Sequence, residues 1–118
     1  MPEKSYDIYQ RTFEFARDIV RFCLTLSAQP GISGVLCKRL VRAGTSVGAN
    51  VAEAQTAQSR VEFAAKASQA RKEMREVIFW LRLIEATHIS NEVRISSLLE
   101  EAQQLQRMLL SFIRHCRS

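Results

Sequence analysis

The chain has 118 residues, 47% of them hydrophobic, which suits one domain over residues 1–118 that buries about two thirds of its unfolded surface. Its formal charge of +5 arises from 17 basic and 12 acidic side chains, thirteen of the basic ones arginine, and such an excess permits nucleic-acid binding without requiring it. No run of about 18 apolar residues occurs and the amino terminus carries no apolar segment, so neither a membrane span nor an export signal is expected.

Cys23, Cys37 and Cys116 lack metal or CxxC spacing and are expected as reduced thiols of a cytoplasmic protein. Two prolines and four glycines punctuate a sequence whose long segments all repeat their apolar residues at the helical period. An all-α fold follows.

Helix one is expected over Ser5 to Ala28, ending at Gln29-Pro30-Gly31. Tyr6, Tyr9, Phe13, Ala16, Val20 and Cys23 form one apolar row on it, and Ile8, Phe15, Ile19, Phe22 and Leu26 form a second at heptad spacing. Together the rows span about 200°, wider than one bundle covers. The second row, joined by Phe79 from helix three, is therefore the candidate interface of a homo-oligomer. The alternative is that neighbouring helices wrap helix one more than usual.

Helix two is expected from Ser33 to Gln55, with Arg39, Arg42, Ser46, Asn50 and Glu53 in a polar arc of roughly 80° beside its apolar face. Gly44-x-x-x-Gly48 has polar flanks and points to close helix contact in water. Ser59-Arg-Val-Glu62 is a capping box that starts helix three, which runs to about Ala86. Ser90 or Asn91 caps helix four, which runs close to the carboxyl end. Four such helices with short loops make an antiparallel up-down-up-down bundle about 35 Å long.

A hairpin pivoting near Ala57 and Gln58 opposes residues of helices two and three whose numbers sum to about 115. Arg42 then faces Glu73, Arg39 faces Glu76, Ser46 faces Gln69, and Asn50 faces Ala65 or Lys66. Glu53 has no partner in this register. The network either shapes a ligand or subunit surface or fixes the register of the hairpin, and Arg42→Ala is expected to destabilise more than a surface change.

The segments Arg42-Ala-x-x-Ser46-Val-x-x-Asn50-Val-Ala-Glu53, Lys72-Glu73-x-x-Glu76-x-x-x-Trp80-Leu81-Arg82-Leu83 and Leu99-x-Glu101-Ala-x-x-Leu105-x-x-Met108-Leu109 resemble the second, third and fourth helices of the bacterial four-helix-bundle proteins encoded by 23S ribosomal RNA intervening sequences. Gly48 departs from the proline of many members, so a kink there is less expected. The resemblance implies a small oligomer without enzymatic activity, a ring of five protomers. An accessory protein of diversity-generating retroelements, which works beside a reverse transcriptase, is similar too and makes such an enzyme a conceivable partner.

Catalytic and cofactor signals are absent from the sequence. His88 and His115 are widely separated and form no metal-ligand motif, Glu73-x-x-Glu76 lacks the histidine of a di-iron site, and no phosphate loop or nucleophile motif occurs. No enzyme, metal or cofactor is expected. Arg60, Arg71, Arg75 and Arg82 occupy an arc of about 60° on helix three, and Arg107, Arg114 and Arg117 add charge near the carboxyl end. This row is either a phosphate-binding surface for RNA or DNA or an ordinary solvated face of a protein-interaction bundle.

Overall fold

The computed structural model describes residues 5–26 and 31–117, and of Ser5, Tyr6 and Arg117 only the backbone. Four helices make up the described residues: α1 (Ser5–Leu26), α2 (Ile32–Gln55), α3 (Arg60–Thr87) and α4 (Glu92–Arg117). The expected end of helix one at Ala28 and its break at Gln29-Pro30 lie outside the described residues. Each helix packs on its neighbours in chain order and α1 closes the ring against α4, with no diagonal pair of helices in contact among the described residues. The result is the expected antiparallel up-down-up-down four-helix bundle, with principal extents of 46 × 19 × 18 Å. It is longer than expected because α3 has 28 residues.

Local chemistry sets the helix ends. The Ser59 hydroxyl accepts from the Glu62 amide at 3.0 Å, while the Glu62 carboxylate reaches one residue further back than a reciprocal box and accepts from the Gln58 amide. His88 ends α3 in the left-handed conformation, at φ 55°. Asn91, rather than Ser90, caps α4, its Oδ1 accepting from the amides of Val93 and Arg94. Gly48 introduces no break, since α2 is continuous on both sides of it.

The core contradicts the interface assigned to helix one. Ile8, Phe15, Ile19, Phe22 and Leu26 are each at most 4% exposed and pack inside the bundle with Leu40, Val47, Phe63, Met74 and Leu105. Of the six candidate interface residues only Phe79, 58% exposed, faces outward. The other row carries the surplus: Cys23 turns inward, but Tyr9 and Phe13 remain exposed, with Leu24 exposed beside them, Ala16 and Val20 are half-buried, and the Tyr6 side chain lies outside the described residues. Gly44 explains the choice, because a Cβ there would stand 3.2 Å from Ile19 Cγ2. Without that side chain α2 seats closely on the Ile19 side of α1, and the heptad row is enclosed.

Cys23 and Cys37 meet in this α1–α2 seam, where the Cys23 thiol donates weakly to the Cys37 carbonyl at 3.8 Å. Burial pushes both thiols above their ordinary range, the neighbouring Cys37 adding to the effect on Cys23. Iodoacetamide at pH 8 should therefore label half-buried Cys116 well before Cys23 and Cys37, which react only on denaturation. Peptide mass mapping of a time course checks this, and early labelling of Cys23 would show that the seam opens.

Candidate nucleic-acid interface

α3 borders α2 on one flank and α4 on the other, and its charges divide between them. On the α2 flank, the Arg42 guanidinium donates to Glu73 at 2.9 Å and to Glu76 at 2.7 Å. Glu73 and, second, Glu76 raise the Arg42 pKa above its usual value. Trp80 Nε1 also donates to Glu76, at 3.2 Å. Further along, Lys66 pairs with Glu53 at 2.6 Å.

The expected register holds for Arg42 and Glu73 and is corrected around them. Glu76 takes Arg42 instead of Arg39, which is exposed and makes no ion pair among the described residues. Glu53, expected to be unpaired, meets Lys66, because Asn50 turns back to donate to the Ser46 carbonyl at 2.9 Å. Ser46 and Gln69 form no bond to each other. Arg42 is 54% exposed, so its clasp is screened by solvent and the strong destabilisation expected for Arg42→Ala gives way to a surface effect.

The α4 flank carries a row of four arginines, with Glu85 as its one carboxylate near the carboxyl end of α3. Arg60, Arg75 and Arg82 are exposed, Arg71 is half-buried, and none makes an ion pair among the described residues. Rotations of about 100° per residue set this row roughly 60–120° from the core face, opposite in sense to the carboxylate stripe. The Arg71 Nε atom is shielded from solvent and has no hydrogen-bond partner, and neither has Gln106 Oε1 on α4. Such a donor lacks compensation for its lost hydration. Arg107 and Arg114 are exposed on α4, and the side chain of Arg117 lies outside the described residues.

The separation has a physical effect. Arg42 holds the α3 carboxylates Glu73 and Glu76 against α2, so the arginines on the other flank keep their positive potential. Residues this arrangement adds beyond the sequence expectation are Arg11 and Glu101, which pair in two contacts of 2.7 and 3.3 Å and join α1 to α4. Their one visible signal was a charged residue at the edge of each apolar stripe. Arg94 also lies over the Phe22 ring, 5.5 Å from its centroid. Among the described residues no three His, Cys, Asp or Glu side chains are grouped to hold a metal, and no helix is long and apolar enough to cross a membrane.

The sequence pattern of the 23S rRNA-intervening sequence proteins matches residues 4–111. The chain belongs to that family. The bundle is similar to the crystal structure of a protein of unknown function from the S23 ribosomal protein family of Bacteroides thetaiotaomicron, with a TM-score of 0.82 and 31% identity. The likeness covers 90% of this chain and 97% of that one. No curated protein matches the chain. The intervening-sequence family thus accounts for the bundle and for the α2 and α3 segments that first resembled it.

Proposed function

We propose that this 23S rRNA-intervening sequence protein is a non-enzymatic, cytoplasmic scaffold that binds RNA or DNA through the arginine flank of α3 and α4 and works as a homo-oligomer. The observation that carries the proposal is the charge division of α3, which leaves Arg60, Arg71, Arg75 and Arg82 without carboxylate partners among the described residues. Buried thiols suit a reducing compartment. Self-association draws support from the outward row Tyr9, Phe13 and Leu24 on α1, a set of large apolar side chains that a second copy would cover. A ring of five protomers, the number the resemblance implied, would repeat the arginine flank around its rim, and a nucleic-acid enzyme such as a reverse transcriptase would be a fitting companion. The same α1 row also favours a second function, a protein-interaction bundle whose charge serves solubility alone.

Salt separates the two. Four phosphate contacts predict that affinity falls about 10²-fold between 50 and 200 mM salt. Filter-binding titrations of structured RNA, single-stranded DNA and duplex DNA at both concentrations, with light scattering for the oligomer, supply the test. Absence of binding at the lower salt would leave the interaction-bundle function standing.

A further inference from the structure

One part of the arginine flank is built differently from the rest. Phe79 projects from α3 with 58% of its surface exposed, between Arg75 one turn before it and Arg82 just under one turn after it. Ile78, Leu83 and Ala86 complete a shallow depression of about 480 Å³ with an apolar floor and the two arginines at its border. The Phe79 and Trp80 rings meet at right angles, with centroids 5.0 Å apart and planes at 78°, and Phe79 keeps most of its surface open to solvent.

We propose that this depression is a stacking site for an unpaired nucleobase, so that the protein prefers single-stranded nucleic acid; the proposal rests on the function given above. The ring offers its π-face to any base, and the arginines on both sides of it offer a cation to the phosphate before and the phosphate after the stacked nucleotide. A base inside a duplex is already stacked and cannot turn onto the Phe79 ring, whereas one in a single strand can. Charge decides the occupant. A second copy of this chain carries +5 itself, and covering the patch with it would bury two arginines that have no carboxylate partner among the described residues. A polyanion supplies the missing charge.

The test uses Phe79→Leu, which keeps apolar bulk and removes the π-face, and Phe79→Tyr, which restores it. Because the residue is exposed, neither change disturbs the core. Phe79→Leu should weaken binding of a short oligo-uridine or oligo-thymidine about tenfold and leave a duplex of equal length within about twofold. Phe79→Tyr should restore the single-strand affinity. Trp80, the one tryptophan, reports locally, and its fluorescence should change when the wild-type protein binds single strands. Equal loss for both nucleic acids, no loss for either, or a change in oligomer size with Phe79→Leu would overturn the stacking site. If Arg75→Glu still weakens every nucleic acid in those cases, the arginine flank survives alone; if the wild-type protein binds none, both proposals fall.

Discussion

Replacing Phe15 and Phe22 together by glutamate should unfold the chain. Both rings are 2% exposed, and truncating even one buried phenylalanine removes about 3–5 kcal/mol of packing. A carboxylate at either place would in addition be stripped of water. Two such changes exceed the ~5–15 kcal/mol by which a domain of this kind is stable. Far-ultraviolet circular dichroism should show loss of helix, whereas Phe13→Glu with Leu24→Glu, both on the outer row, should retain the helical signal and reduce oligomer size in light scattering. A folded, helical monomer from the Phe15 and Phe22 pair would return those residues to an interface and contradict the core described above.

Charge reversal on α3 should be the largest effect on binding. Arg71→Glu with Arg75→Glu exchanges two cations for two anions at the centre of the row, so affinity for RNA or DNA should fall to background at 50 mM salt. Arg71 is half-buried and its Nε is unpartnered, so Arg75→Glu with Arg82→Glu, both fully on the surface, separates charge from packing. Neutral variants at Arg75 and Arg82 should lower the salt slope by about 2, one for each phosphate that is no longer neutralised. Base sequence should matter little, because these arginines reach phosphate and not base edges. Variants that keep wild-type affinity and slope would remove the arginine flank from any role in nucleic-acid binding.

Several features were legible before folding because their causes are local. Ser59 and Asn91 announce the starts of α3 and α4 through side chains that bond amides two or three residues away. The opposition of Arg42 and Glu73 was equally readable, since a short connection after Gln55 allows the two helices few registers. Finer pairing was not. Whether Glu76 takes Arg39 or Arg42, and whether Glu53 finds Lys66, depends on side-chain reach and on Asn50 bonding its own helix, choices that differ by less than a turn of rotation.

The sequence by itself determined four helices, their antiparallel order, most of their ends, and the division of α3 into a carboxylate stripe and an arginine row, because periodicity and capping act within one helix. Only the tertiary structure decided which of the two apolar rows of α1 faces inward. Periodicity sets the angle between the rows and leaves the rotation of the whole helix open. That rotation is fixed by neighbours distant in sequence: Gly44 admits Ile19 against α2, and Arg11 reaches Glu101 on α4. Together they enclose Ile8, Phe15, Ile19, Phe22 and Leu26 and leave Tyr9, Phe13 and Leu24 outside.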